Sequence, residues 1–471
     1  MELKGKKVLV VGLGKSGLAA ALFLRHKGAQ VTVSDIRSAD SLAKEIPALL
    51  DEGIMVEAGG HGLLTFRRQD LIVVSPGVPL NTPELVQARN LGRLVIGELE
   101  LAARFLKGKI LAITGSNGKT TTTALAGEIL KEAGYPTLVA GNIGVAVVGL
   151  IDNSTDDTWS VLEVSSFQLE TTESFHPRVA VILNITPDHL DRHGTFETYI
   201  AMKEKIFANQ GAEDFLILNG DDPVVQQAAS RTKSQVLWFS RSKIVRSGTF
   251  LMDGMVMFRP SEQAKPIPVL PLGDISLKGE HNIENVLAAV CAACVVDIPA
   301  EVVARTVAAF HAVEHRLEFV ASIHGVDYYN DSKATNVDAT AKAIASFPGN
   351  IHLILGGKDK NSDYTQLNAL LRARVKAAYT IGSAAEKIEG QIAGATTVIH
   401  AGTLEAAVDQ AASQAVAGDV VLLAPACSSF DQFENYEERG KVFKQTVLAR
   451  HKASDGAGEG TNQGAGVWQS A

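Results

Sequence analysis

The chain is 471 residues long, 46% hydrophobic and 20% charged, with a formal net charge of −8. That length exceeds a single compact core and points to two to four domains. The acidic balance excludes a global basic field that would draw the chain to nucleic acid or an anionic membrane, so any anionic ligand must be held by local groups. Three cysteines, an odd and sparse count, argue against a disulfide framework and for a reducing compartment.

The opening MELKGKK passes directly into VLVVG, with no signal-type apolar region or cleavage site, and a cytoplasmic location is expected. No apolar run approaches the ~20 residues of a bilayer span, so no membrane insertion is expected. VLVVG (8–12), QVTVSD (30–35) and LIVVS (71–75) read as buried parallel strands alternating with amphipathic helical stretches. They predict a Rossmann-like, doubly wound unit over residues 1–98. A second series, assigned to 99–312, begins at ILAIT (110–114) and continues through WSVLE (159–163) and VAVILN (179–184) to helices near 281–310. Within it, Pro and Gly punctuate 235–275, which reads as a small β insertion. Cys291 and Cys294 form a C-x-x-C inside the apolar run 286–296, where the helical pattern makes them small core side chains rather than a redox or metal pair. A third series, assigned to 313–452, carries IHLILGG (351–357), AAYTIG (377–382), TTVIH (396–400) and VVLLAP (420–425). Residues 453–471, rich in Gly, Ser, Asn and Gln without periodicity, are expected to be a disordered tail. The predicted fold is α/β in three domains: N-terminal Rossmann-like, a central parallel sheet with the small β insertion, and C-terminal Rossmann-like α/β.

The strongest local signal is ILAITGSNGKTTTT (110–123). A buried strand enters a turn holding Gly115, Asn117 and Gly118, and Lys119, Thr120 and Thr121 open the next helix. Unpaired helix N–H groups and the helix dipole make such a turn an anion cradle. Lys119 is placed for the β- and γ-phosphates of ATP, and Thr120 for Mg²⁺. The general ATPase spacing asks for glycine where Ile113 stands, so this loop is a shortened variant. Glu163, ending WSVLE, and His189, in ITPDHLDRHG after VAVILN, offer a carboxylate and an imidazole to a nucleotide-bound metal at the strand ends where parallel sheets place ligands.

GLGKSG (12–17) matches G-x-G-x-x-G after a strand, and Asp35 ends the next one. By itself this pattern predicts a dinucleotide site and a nicotinamide oxidoreductase. The ATP loop further along is superfluous to a simple dehydrogenase. What the pattern supports physically is a glycine-rich turn, with Gly14 and Ser16, receiving the diphosphate of some nucleotide. SPGV (75–78), with Ser75 and Gly77, adds a second tight turn at a strand end.

Taken in order, GSNGKT, LEVSSFQLE, LNITPDHLDRHG, KGEHNIEN, HRLE, NDSKATN and PACSSFDQFENYEERG resemble the Mur ligase family, from about residue 5 to 450. Within it the chain is most similar to the branch that adds D-glutamate to UDP-N-acetylmuramoyl-L-alanine. The resemblance implies a UDP-binding domain, a central ATPase and a C-terminal domain that closes over the site. It implies that Asp35 and Arg37 hold uridine diphosphate with the GLGKSG turn, and that Asn142 and Ser165 lie near the muramoyl substrate. Glu163 and His189 match metal ligands. Lys203, which by pattern alone reads as a surface helix lysine, matches a lysine carbamylated by CO₂; an anion there suits Mg²⁺ where a bare ammonium would be repelled. Asn282, Arg316 and Asp331 match groups around ATP. Lys333, Thr335, Ser429 and Tyr436 match positions around the incoming amino acid, with Phe433 as the alternative aromatic. GGKDKNSD offers Lys358 and Lys360 for the one lysine expected at the D-glutamate side chain, and the GG spacing selects Lys360. The D-N-P-R signature of the related diamino-acid ligase is missing from the sequence.

The implied chemistry is activation of the alanyl carboxylate by ATP, with Lys119, His189 and Lys203 at the reacting centre, followed by attack of the D-glutamate amine. A monomer is expected. The competing readings are a folylpolyglutamate-synthase-like ligase, a nicotinamide oxidoreductase and a non-catalytic nucleotide switch.

Overall fold

The computed structural model describes residues 1–142, 144–277, 279–311 and 313–458. Its strands form three sheets. The first contains β1 (Lys7–Val11), β2 (Gln30–Asp35), β3 (Met55–Ala58), β4 (Leu71–Val74) and β5 (Leu94–Gly97), all parallel, in the order β3-β2-β1-β4-β5. Val8, Leu9, Val10 and Val11 are fully buried, as a strand covered by helices on both faces requires. The order reverses between β1 and β4, opening a crevice at their carboxyl ends. GLGKSG leaves β1 there and SPGV leaves β4.

The second sheet holds β6 (Lys109–Thr114), β7 (Thr137–Gly141), β8 (Trp159–Glu163), β9 (Val179–Ile182), β10 (Phe215–Asn219), β11 (Gln235–Ser240), β12 (Gly248–Met252), β13 (Met255–Arg259) and β14 (Ile267–Pro271). Its order is β14-β13-β12-β11-β10-β9-β6-β8-β7. β6 therefore lies between β8 and β9, and the three strand ends bring the phosphate loop, Glu163 and the segment leading to His189 to one edge. Residues 235–275, expected as a small β insertion, supply β11 to β14 at one side of this sheet. β12 and β13 pair antiparallel through Asp253 and Gly254, both at positive φ, the conformation a two-residue hairpin turn demands.

The third sheet takes β15 (Glu318–Ile323), β16 (Val326–Asn330), β17 (Ile351–Gly356), β18 (Val375–Ile381), β19 (Thr397–Gly402) and β20 (Val420–Leu423) in the order β15-β16-β20-β17-β18-β19. Among the described residues, β15 is the one strand of this sheet that runs antiparallel to its neighbour.

The chain divides into two compact units. The first, Met1–Ser276 with Ile283–Phe310, carries the first two sheets on a continuous apolar core that includes Leu99, Leu101, Val147 and Ile151. The second comprises Leu277–Asn282 and the chain from His311 onward. Cys291 is buried, whereas Cys294 is only partly covered; burial raises both thiols, Cys294 to about 12, so neither supplies a thiolate. The last helix spans Tyr436–Gly458, so the first residues of the expected tail continue it, and 459–471 lie outside the described residues. Among the described residues, no helix is long and apolar enough to cross a membrane.

Candidate active site

β6 delivers the chain to the turn 115–118, and the helix Lys119–Glu132 leaves it. Gly118 caps that helix at φ 86°, and a β-carbon there would lie 2.1 Å from Asn285 Oδ1. Both the dihedral and the close approach call for glycine. Lys119 Nζ folds back to donate to the carbonyls of Gly115 and Ser116, each at 2.9 Å. Asn184, two residues past β9, fixes the outer side: its Oδ1 accepts from the Asn117 N–H at 2.8 Å and its Nδ2 donates to the Asn117 carbonyl at 3.1 Å. Ser116 Oγ donates to the Thr186 carbonyl at 2.9 Å, leaving the Tyr199 hydroxyl, 3.1 Å away, to donate to it. Thr121, in the first turn of that helix, is buried.

Thr120 Oγ1 donates to Glu163 Oε2 at 2.7 Å, and Asn142 Nδ2 donates to Glu163 Oε1 at 2.9 Å. The sequence-predicted metal pair Thr120 and Glu163 is thus together at the end of β8, and Asn142 joins it. Lys203 is not a surface residue. It is 2% exposed, and its Nζ donates to the Gly115 carbonyl at 2.7 Å. Burial and the neighbouring Lys119 cation push its pKa well below the usual lysine range, against the opposing pull of Asp188 and Glu163. His189 starts a short helix at φ 53°. Its ring packs edge-on against Phe167 at 4.9 Å, and its Nε2 lies 3.6 Å from Asp188 Oδ2. Ser165 caps the helix Ser166–Glu170 in a capping box with Gln168, which gives it a structural duty beside any ligand role.

At the first crevice, Asp35 serves the turn itself. Its Oδ2 accepts from the Leu13 N–H at 2.7 Å and its Oδ1 from the Arg37 N–H at 2.8 Å. The Arg37 guanidinium pairs with the same carboxylate at 3.0 Å and donates to the Leu13 carbonyl at 2.7 Å. Burial alone would raise this carboxyl, but Arg37 and the two N–H groups outweigh it and hold it low. Ser75 Oγ donates to the Gly12 carbonyl at 2.7 Å, tying the two turns together. Ser16 is partly covered. Gly14 and Gly77 have open space where a β-carbon would stand, as a close backbone approach by a diphosphate requires.

Asn282, Arg316 and Asp331, with the expected amino-acid residues, belong to the second unit. Desolvation raises Asp331 to about 7 despite the Arg316 cation and the Leu317 N–H. Lys333 Nζ lies 3.7 Å from the centre of the Tyr436 ring, a close cation–π contact. Thr335 follows in a tight turn whose N–H bonds the Lys333 carbonyl at 2.8 Å. Ser429 is 2% exposed, and its Oγ is buried with no hydrogen-bond partner among the described residues. Lys360 is exposed on the loop after β17. Sequence reasoning missed Arg439. Fully buried, it donates to Ser332 Oγ at 3.0 Å, to the Ser332 carbonyl at 2.8 Å and to the Cys427 carbonyl at 3.2 Å. It thereby joins the segment carrying Asp331 and Lys333 to the one carrying Ser429. Also missed were Asn184, Tyr199 and Asn285, whose only sequence signal was a place inside or beside the quoted motifs.

Three family models match the chain in succession: the Mur ligase MurD-like N-terminal domain over residues 6–97, the Mur ligase middle domain over 113–293 and the Mur ligase glutamate ligase domain over 315–427. A UDP-N-acetylmuramoylalanine--D-glutamate ligase of Acidobacterium capsulatum is 66% identical over 471 residues, covering all of both chains. The enzyme of the same name from Koribacter versatilis is 60% identical over 447 residues, covering 95% of this chain and 98% of that one. Among solved structures, the UDP-N-acetylmuramate-alanine ligase of Thermotoga maritima shares the fold at 18% identity and a TM-score of 0.59, covering 94% of this chain and 100% of that one. The MurF ligase of Thermotoga maritima, solved with ADP, gives 17% identity and a TM-score of 0.59, covering 95% of this chain and 96% of that one. With a relative two-thirds identical from end to end, the chain belongs to the Mur ligase family.

Proposed function

We propose that this chain is an ATP-dependent ligase that joins D-glutamate to UDP-N-acetylmuramoyl-L-alanine in peptidoglycan precursor synthesis, acting in the cytoplasm as a monomer. The observation that carries this reading is the joint built at the ends of β6 and β8. There a phosphate turn with Lys119 stands beside the Thr120–Glu163 pair and the buried Lys203. In the reaction, the alanyl carboxylate attacks the γ-phosphorus of ATP and ADP departs. The amine of D-glutamate then attacks the acyl carbon, forming the amide and expelling phosphate.

The turn 115–118 presents its N–H groups to the phosphates, and Lys119 neutralises charge on the transferring oxygens. Thr120 and Glu163 are hard oxygen donors of the kind Mg²⁺ takes, and a carbamate on Lys203 would add another, with His189 completing the set. Bound there, the cation would screen the phosphate oxygens from the incoming carboxylate. Asn142 orients Glu163. On the substrate side, Gly14 and Gly77 leave room for the diphosphate, while Asp35, Arg37 and Ser75 hold the two turns in shape. Both Asp35 oxygens are engaged by the chain itself, which weighs against a nicotinamide ribose at that carboxylate. Asn282, Arg316 and Asp331 are assigned to ATP. Lys333, Thr335, Lys360, Ser429 and Tyr436 are assigned to D-glutamate, for which the unpartnered Ser429 Oγ offers a ready hydrogen bond.

The test is phosphate release from ATP with UDP-N-acetylmuramoyl-L-alanine present and candidate amino acids added one at a time. Release that depends on D-glutamate is expected. Release independent of any amino acid, or tight binding of a nicotinamide dinucleotide instead, would overturn the reading.

A further inference from the structure

We propose that Asp359, clamped by Lys387 and Tyr364, is a positioning residue that sets the reach of Lys360 and so selects the side-chain length of the amino acid. The proposal rests on the assignment of Lys360 and Ser429 to that substrate.

The loop after β17 is fixed at two consecutive residues just before Lys360. At Lys358 the fixing is through the backbone: its N–H donates to the Ser428 carbonyl at 2.8 Å, and Ser428 Oγ donates back to its carbonyl at 3.0 Å. Gly357 lets the two segments come this close, since a β-carbon there would lie 2.3 Å from the Ser428 carbonyl oxygen. At Asp359 the fixing is through the side chain. Its Oδ2 accepts from Lys387 Nζ at 2.6 Å, and its Oδ1 accepts from the Tyr364 hydroxyl at 2.8 Å and the Ser362 N–H at 3.1 Å. Tyr364 is fully buried, so its end of the clamp is rigid. Its single phenolic proton goes to Asp359. The thiol of Cys427, 2.9 Å from the same oxygen, is then the donor of that contact.

A chain of contacts therefore runs from Asp359 through Tyr364 to Cys427, two residues before Ser429. Lys360 and Ser429 are two of the five residues assigned to the amino acid, and this chain holds their backbones in fixed register. A cation held at a set distance from a hydroxyl measures the substrate between them. A side chain one methylene shorter than glutamate would leave its carboxylate short of Lys360. Asp359 makes no contact with substrate in this scheme; it acts through Lys360.

Asp359→Ala, Lys387→Met, the double variant and Lys360→Ala are to be compared with wild type using D-glutamate, D-aspartate, ATP and UDP-N-acetylmuramoyl-L-alanine. Asp359→Ala and Lys387→Met are each expected to raise the KM for D-glutamate roughly tenfold, the scale of a small misplacement. The KM for ATP should stay unchanged and the preference for D-glutamate over D-aspartate should narrow. The double variant should be no worse than the worse single one, as expected for two partners in one interaction. Lys387 is partly exposed, so its variant tests the clamp even where Asp359→Ala fails to fold. A folded clamp variant with unchanged KM and selectivity, beside an impaired Lys360→Ala, overturns the proposal alone. An unimpaired Lys360→Ala overturns the substrate assignment and the proposal with it.

Discussion

Lys119 Nζ and Lys203 Nζ bond a single acceptor, the carbonyl oxygen of Gly115, at 2.9 and 2.7 Å. Two ammonium ions on one oxygen repel, so one amine is favoured in its neutral form. Lys203 is the one to yield, because it is buried and Lys119 is not. A neutral amine is a nucleophile toward CO₂: the nitrogen bonds the carbon, loses a proton and becomes a carbamate anion. Protein equilibrated with ¹³C-bicarbonate is expected to show a carbamate carbonyl signal that Lys203→Ala lacks. Activity should fall in CO₂-depleted buffer and return on adding bicarbonate. Full activity without CO₂ and no labelled signal would exclude the modification.

Gly118 stands at φ 86°, with Asn285 Oδ1 where a β-carbon would be. Gly118→Ala forces a left-handed dihedral on a residue with a side chain, a cost of about 1–3 kcal/mol, and displaces Asn285. A lower melting temperature and weaker ATP binding by calorimetry are expected. Lys119→Ala separates chemistry from fold: product formation should drop by roughly 10²–10³-fold, with the circular dichroism spectrum unchanged. Wild-type turnover in that variant would remove the phosphate turn from the mechanism.

The strands most legible in the sequence were those buried on both faces. QVTVSD and WSVLE coincide with β2 and β8 residue for residue, because a short, almost wholly buried stretch of this length is what a parallel sheet covered on both faces takes. β3, β5, β7, β10, β15 and β16 escaped notice; β3, β5 and β7 are four or five residues long with mixed exposure, so neither length nor alternation marks them, whereas β10 is short but almost wholly buried. The phosphate turn was legible because its function needs a local sequence. Lys203 was not, since the helix Phe196–Glu204 shows little amphipathic contrast and its burial depends on what packs above it. Arg439 was invisible for a related reason. Its partners Ser332 and Cys427 are brought to it only by the third sheet, and nothing in FENYEERG distinguishes it from a solvent-exposed helix arginine.

Glu98 follows β5 and is 1% exposed. Its Oε1 accepts from the Val148 N–H at 2.8 Å, while its Oε2 is buried with no hydrogen-bond partner among the described residues. Desolvation raises its pKa from 4.5 to about 7, against the pull of the Val148 and Val147 N–H groups. The folded state therefore binds this proton more tightly than the unfolded chain. The sign follows: the contribution is fully present below pH 4.5 and is lost as pH rises through about 7. Glu98→Gln keeps the Val148 bond and removes the titration. Between pH 5 and 8 the wild type should lose stability relative to Glu98→Gln by on the order of 2–3 kcal/mol, read from paired denaturant melts. Parallel curves across that range would show that the carboxyl titrates normally.

Arg439 is a buried cation whose hydrogen-bond partners are the Ser332 hydroxyl and the carbonyls of Ser332 and Cys427. Desolvation lowers it to about 10, partly offset by Cys427 and Asp431, so it stays charged at neutral pH. Arg439→Met fills much of the same volume but leaves both carbonyls buried and unbonded, at about 1–3 kcal/mol for each unsatisfied group. Arg439→Lys keeps the charge but cannot span both carbonyls with a planar fork. Both variants should lower the unfolding midpoint, the methionine more. Because the arginine joins the segment of Asp331 and Lys333 to that of Ser429, the folded lysine variant should show a raised KM for D-glutamate and an unchanged KM for the UDP substrate. If stability falls while every KM stays at the wild-type value, Arg439 holds the unit together without shaping the amino-acid site.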